Sequence, residues 1–135
     1  MDNGHFARID PEECRELLRL GQVGRLAWVD QARVQILPVT YVSDGETIWF
    51  RTAEGSPMAR ALGAVAFEID DIDSETRTGW SVVARGVLED SGRTSAPGPD
   101  PWAPGERHLR RAIRVTDLTG RSVAPGTERD VDVYA

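Results

Sequence analysis

An antiparallel β-barrel of six strands with a few short helices is the fold that this sequence predicts. Three observations carry the prediction. Short runs in which apolar and polar residues alternate recur along most of the chain, separated by brief turns. Helical signals are confined to two short stretches. The chain has 135 residues, the size of one compact domain, and two halves would each be poorly cored. Closing so many short strands into a barrel removes the exposed edges that an open sheet would carry.

The elements follow in order. The first is a helix. Asp10 is a good N-cap, Pro11 suits the first helical position, and Glu13 completes a capping box three residues after Asp10. Cys14, Leu17 and Leu18 recur at i, i+3, i+4 and form one apolar face, and Gly21 ends the helix. Cys14 therefore reads as a small core residue rather than a reactive thiol. The period then changes to two. Residues 23–29 read as a strand and 30–32 as a turn. Residues 34–42 read as a second strand, interrupted by Pro38. Residues 43–46 make a hairpin turn, and 47–52 return as a third strand. A short helix is expected from Ser56 to about Leu62, then a fourth strand over 64–70, an acidic turn, and a fifth over 80–88. Residues 91–105 read as a loop, with four of the eight prolines placed around Trp102. A last strand is expected near 112–116, with a short stretch near 121–123. Residues 1–123 are thus one domain, and 124–135 are expected to form a loose tail.

Charge and composition narrow the function. A net charge of −6 disfavours general nucleic-acid binding through counterion release. No apolar run approaches the roughly 20 residues that a spanning helix needs. The N-terminus lacks an export pattern, and a single cysteine can form neither an internal disulfide nor a structural zinc site. A cytoplasmic protein is the expectation. All 16 basic residues are arginine. That bias has two readings: codon usage in a GC-rich genome, or planar donors that bind phosphate or carboxylate.

No catalytic constellation stands out. The acidic stretch Asp70, Asp71, Asp73, Glu75 lacks the glycine and glutamate of an EF-hand loop, where Thr76 and Val82 stand instead, and reads as a solvated turn. Two histidines, His5 and His108, show no ligand spacing, so no metal site is expected. Nucleophile-elbow, P-loop and dinucleotide motifs are absent from the sequence. One segment does suggest an anion site. A strand ending in Arg51 and Thr52 turns through Gly55 into a helix capped by Ser56. Free N–H groups at that helix start, two hydroxyls and a bidentate guanidinium could hold a phosphate. The same residues also fit a simple helix cap beside an exposed arginine. A second cluster, Arg107, Arg110, Arg111 and Arg114, could serve an anionic substrate or form a solvated face.

The order of these elements resembles the FMN-binding split-barrel superfamily, the pyridoxamine 5′-phosphate oxidase-like proteins, in their short single-domain actinobacterial form. Gly24-Arg25-Leu26-Ala27, Leu37-Pro38-Val39-Thr40-Tyr41, Phe50-Arg51-Thr52-Ala53-Glu54-Gly55-Ser56 and Val65-Ala66-Phe67-Glu68-Ile69-Asp70 carry the resemblance. Thr78-Gly79-Trp80-Ser81-Val82, the loop around Trp102 and Thr119-Gly120-Arg121 extend it over about residues 8–123.

The resemblance implies a split barrel that binds FMN. By position, Arg51, Thr52 and Ser56 would hold the phosphate, with Phe50 also in the cofactor site, and Pro38, Val39, Thr40 and Tyr41 would lie along the flavin ring. Trp80 and Ser81 would reach a flavin held mainly by the other subunit of a homodimer, and Trp102 would line the pocket. Relatives commonly carry lysine directly after the serine, where this chain has Pro57, which removes one N–H donor and one cation. Arg60 is one turn on and could substitute in part. The implied activity passes hydride from a reduced nicotinamide through FMN to a small acceptor. Two alternatives are a deazaflavin coenzyme, whose anionic tail would suit the spare arginines, and a flavin-binding barrel without turnover.

Overall fold

The computed structural model describes residues 5–93 and 109–125. The elements in chain order are β1 (His5–Arg8), α1 (Pro11–Leu20), β2 (Val23–Asp30), β3 (Arg33–Thr40), β4 (Val42–Ser43) and β5 (Thr47–Thr52). A single 3₁₀ turn (Pro57–Arg60) follows, then β6 (Gly63–Asp73), β7 (Thr78–Arg93) and β8 (Leu109–Ala124). Every strand pairing is antiparallel, in the order β3-β2-β6-β7-β8-β5-β4, with β1 added to the far half of β8. The two ends of that order, β3 and β4, are consecutive stretches of one chain joined at Tyr41. The strand that leaves one end of the sheet thus enters the other and closes it into a barrel. The mainly β, antiparallel barrel class is as the alternation predicts. No helix among the described residues is long and apolar enough to cross a membrane.

Alternation along each strand sends one face inward. Leu26 and Trp28 of β2, Ile48 and Phe50 of β5, and Phe67 and Ile69 of β6 are all buried in the core. Each such side chain contributes roughly 1.5–3 kcal/mol by leaving water. Helix α1 lays Cys14 and Leu18 onto that core. Cys14 is fully buried, in the structural place its spacing assigns, and burial pushes its thiol pKa up.

Several boundaries differ from the sequence expectation. The described residues form eight strands rather than the six expected, because β1 and β4 have four and two residues, too few to show a period. The two expected C-terminal pieces are one continuous β8 of 16 residues, and β7 also runs for 16, to Arg93. Polar residues of β8 such as Asp117 and Thr119 stand on the outward face, so they interrupt the apolar pattern without interrupting the ladder. Residues 91–93 of the loop expected at 91–105 therefore belong to β7. Residues 94–108 lie outside the described residues, as does the expected tail from 126 on, while Ala124 still belongs to β8. The helix expected over 56–62 is only the 3₁₀ turn. Asp10 caps α1 through its backbone, accepting from the Cys14 N–H at 3.0 Å, and its side chain makes no capping bond.

The outward face carries a titrating pair. Arg25 of β2 reaches Glu68 at 3.0 Å and Asp70 at 3.4 Å, both on β6. Burial, then a hydrogen bond and the like charge of Asp70, push Glu68 up to about 7, against the opposing pull of Arg25. A carboxyl raised on folding favours the native state while protonated. That stability is complete below the unfolded value near pH 4.5 and is lost as pH rises through about 7. With the Glu68 side chain 29% exposed, screening reduces the contribution to about 1–2 kcal/mol. Glu68→Gln is expected to flatten the fall in Tm between pH 5 and pH 8, measured by calorimetry. An unchanged slope would show that Glu68 titrates normally.

Candidate functional site

The site begins where the barrel wall parts. On one side of the closure, Val42 pairs with Trp49 and Ser43 with Ile48. Continued by two residues, that ladder would set Thr40 opposite Arg51. It does not continue, because Thr40 pairs instead with Val23 of β2 and the Tyr41 N–H donates to the Gln22 carbonyl at 3.0 Å. β3 and β5 therefore diverge from Tyr41 onward and leave a split. Along it, alternate backbone groups of β3 face away from β2 and are not used in a ladder. Pro38 is tolerated there because an edge strand has no need of its missing N–H.

Pro38–Tyr41 thus borders one side of the split and Phe50–Ser56 the other, which joins the two blocks singled out in the sequence. The side chains divide by parity. Val39, Tyr41, Phe50 and Thr52 point inward and are buried, leaving their backbones at the split, while Pro38 is exposed and Thr40 and Arg51 are half-buried. Trp80 and Ser81 lie elsewhere, on β7, two strands away from β5 in the sheet. Ser81 lines a separate open groove of about 780 Å³ between β1, the start of α1, β7 and β8. Trp102 lies outside the described residues.

The residues read in the sequence as anion donors have protein partners of their own in the structure. Thr52 Oγ1 and Ser56 Oγ hydrogen-bond each other at 2.5 Å, and Ser56 Oγ also accepts from the Ala59 N–H at 3.2 Å. These hydroxyls serve the turn. A single 3₁₀ turn opened by Pro57 offers little dipole and few free N–H groups. Gly55 takes φ 78°, the left-handed conformation that the reversal before the turn requires. Arg60 is drawn off to Asp30 at 3.1 Å. β8 brings a further positive charge beside Arg51. Arg110 is the cross-strand partner of Arg51, and both point outward. The Arg110 guanidinium carbon lies 5.7 Å from the ring centre of Trp49, a cation–π contact.

Arg111 points the other way. It is 4% exposed and donates to the Asp90 carboxylate at 2.9 Å and to the Ala59 carbonyl at 3.1 Å. It ties the 3₁₀ turn to β7 and β8 and so positions the segment that follows Thr52. The sequence contained the signal: Arg111 shares its parity with the core residue Ile113. Arg114, on the outward parity, meets Glu89 at 3.6 Å. Of the arginine cluster read as a whole in the sequence, Arg107 lies outside the described residues, and the other three have three different surroundings. Asp73 of the acidic stretch accepts from the N–H groups of Glu75 and Thr76 and so closes its own turn.

Residues 10–122 match the family model described as pyridoxamine 5′-phosphate oxidase. The chain belongs to the pyridoxamine 5′-phosphate oxidase family. The match spans α1, both sides of the split and nearly all of β8. Among relatives, the uncharacterized protein Rv0080 of Mycobacterium tuberculosis is 37% identical over 134 residues, covering 94% of this chain and 85% of the relative. Among solved structures, the FAD binding protein from Mycobacterium smegmatis superposes with a TM-score of 0.68 at 30% identity, covering 87% of this chain and 98% of that one. The conserved protein of unknown function DIP1874 from Corynebacterium diphtheriae gives a TM-score of 0.70 at 27% identity, covering 90% and 98%. The pyridoxamine 5′-phosphate oxidase family match thus covers the split together with the arginines on either face of β8.

Proposed function

We propose that this protein binds a flavin nucleotide, with FMN as the minimal ligand, in the split between β3 and β5 and acts as an oxidoreductase. The observation that carries the reading is the divergence of β3 from β5 at Tyr41. It sets the free backbone edge of β3 opposite a strand end that carries Arg51 and Arg110. An extended planar ring with polar edges suits the first side, and a phosphate suits the second. The family and the FAD binding relative from Mycobacterium smegmatis support the ligand class.

The residues divide the work. Backbone groups of Pro38–Thr40 would orient the ring edge, with Thr40 as a further hydroxyl at the margin. Arg51 would hold the phosphate by paired hydrogen bonds. Ser56 and Thr52 would hold the turn rather than the ligand, and Arg111 would keep that turn against the barrel. When bound, the flavin would supply the redox chemistry, taking hydride from a reduced nicotinamide and passing it to a small acceptor.

A homodimer completes the reading. Val34 and Ile36 of β3 and Val29 of β2 share one outward face beside the open edge and are 78%, 61% and 67% exposed. A second copy covering this patch would remove it from water, and Trp80 and Ser81 would face the partner's flavin.

The test is an absorbance spectrum of the purified protein, followed by titration with FMN. Flavin bands or saturable binding are expected. Arg51→Ala is expected to weaken binding by about tenfold to a hundredfold, the effect of losing a charged hydrogen bond. No bands and no binding would overturn the reading.

A further inference from the structure

The open groove that holds Ser81 concentrates positive charge on an acidic chain. Its floor is formed by β7 and β8, and its wall by β1 and the connection to α1. The Ile9 N–H donates to the Gly120 carbonyl at 3.0 Å and ties that wall to β8. Arg8, Arg85 and Arg121 line the groove against a single carboxylate, Asp10, although the whole chain carries a net charge of −6. Arg85 is engaged by Asp117 at 3.6 Å. Arg8 and Arg121 have no such partner, and among the described residues no carboxylate pairs with either. They are direct cross-strand partners, with Cβ atoms about 5 Å apart, and like charges so placed oppose the pairing of β1 with β8. The Arg121 guanidinium carbon lies 5.2 Å from the ring centre of Phe6, a cation–π contact that uses none of its N–H donors. On the floor beside them, the Ser81 and Thr119 hydroxyls have no protein partner among the described residues. A volume of about 780 Å³ is within the range that takes a small molecule.

We propose that this groove binds a small dicarboxylic acid, with one carboxylate on the fork of Arg8 and the other on that of Arg121. A guanidinium takes one carboxylate by two parallel hydrogen bonds, so two adjacent forks call for two carboxylates a few carbons apart. Together the carboxylates supply the negative charge that the arginine pair lacks. Ser81 and Thr119 offer further donors, and Val83 between them gives an apolar surface to the carbon chain. The groove is separate from the split, and the proposal does not depend on the flavin reading.

The experiment titrates the purified protein with succinate and glutarate at fixed ionic strength, following Tm and the heat of binding. Saturable binding and a rise in Tm are expected. Butyrate, with one carboxylate, is expected to bind about tenfold or more weakly than succinate, the effect of losing a charged hydrogen bond. Arg8→Gln and Arg121→Gln should each remove that difference and leave succinate no better than butyrate. Arg121→Lys keeps the charge without the fork and should fall between wild type and Arg121→Gln. Without ligand, the Tm of Arg8→Gln should hold or rise, since a like-charge pair has been relieved, so its loss of binding is not a loss of fold. No saturable binding of either acid, or equal binding in wild type and both glutamine variants, would overturn the site. Inorganic phosphate bound more tightly than succinate, with the same dependence on the two arginines, would overturn the dicarboxylate class and assign the groove to a phosphate group. Protein saturated with FMN is expected to keep its succinate response. Loss of that response would overturn a separate site and give the groove to the flavin, whereas failure of FMN to bind would overturn the flavin reading alone.

Discussion

Tyr41→Ala is expected to lower Tm by roughly 15 °C or more, the effect of about 4–6 kcal/mol in a domain of this size. Tyr41 is where the chain passes from one end of the sheet to the other. It is 2% exposed, its ring meets Phe67 edge to face at 4.9 Å, and its hydroxyl donates to the Leu18 carbonyl at 2.7 Å. That carbonyl lies in the last turn of α1, where no intrahelical donor remains except a long contact from the Gly21 N–H at 3.4 Å. Gly21 carries no Cβ because one would run into the Tyr41 hydroxyl. Truncation to alanine removes the ring from the core at about 3–5 kcal/mol and leaves the helix end short of a donor. Burial raises the Tyr41 pKa above its ordinary value, so the phenol stays a donor throughout the usable pH range.

The conservative variant separates structure from ligand contact. Tyr41→Phe keeps the ring and loses only the bond to Leu18, so about 1–2 kcal/mol of stability is expected to go. Flavin affinity of the folded Tyr41→Phe protein is expected to stay within about threefold of wild type, because the hydroxyl points into the core and only the backbone borders the split. Thermal melts and FMN titration on the same samples check both statements. A large loss of affinity at unchanged Tm would mean that the hydroxyl reaches the ligand.

Tyr41 also shows what the sequence could and could not reveal. The alternation from Val34 to Val42 reads as one strand, and both of its halves are extended. Periodicity along a chain says nothing about which neighbour a strand pairs with. The change of partner at Tyr41, which creates the split, is therefore invisible to it. The same limit explains β8, which pairs with β7 on one edge and with β5 and then β1 on the other. Its polar residues on the outward face looked like a break. Period-two parity, by contrast, was available and informative. It places Phe50 and Thr52 inward and Arg51 outward, and it sends Arg110 and Arg111 to opposite faces. Ser56 caps the turn as the sequence suggests, but the turn stops after Pro57–Arg60 and β6 begins at Gly63, which leaves too few residues for an α-helix to propagate.

The second large effect concerns Arg111, and its two sides are not equivalent. Removing Asp90 is expected to destabilise more than removing the arginine. Asp90→Ala leaves a guanidinium that is 5% exposed without its counter-charge, a loss that costs about 3–5 kcal/mol for fully buried pairs. Asp90 is itself 57% exposed, and Arg111 keeps the Ala59 carbonyl and a 3.3 Å contact to the Arg110 carbonyl. About 2–4 kcal/mol is therefore expected. Arg111→Met fills much of the same volume with an apolar chain and leaves behind an aspartate that water can reach. Its cost reduces to the lost bond at Ala59, about 1–3 kcal/mol. Chemical denaturation of both variants checks the order. Ligand binding should show the reverse order. Asp90→Ala retains the tie to Ala59 and is expected to bind FMN nearly as well as wild type. Arg111→Met frees the 3₁₀ turn from β8 and is expected to weaken FMN several-fold even where the protein is fully folded. If Arg111→Met loses the greater stability and binds FMN normally, then Arg111 is a core residue alone, and the turn after Thr52 holds its place without it.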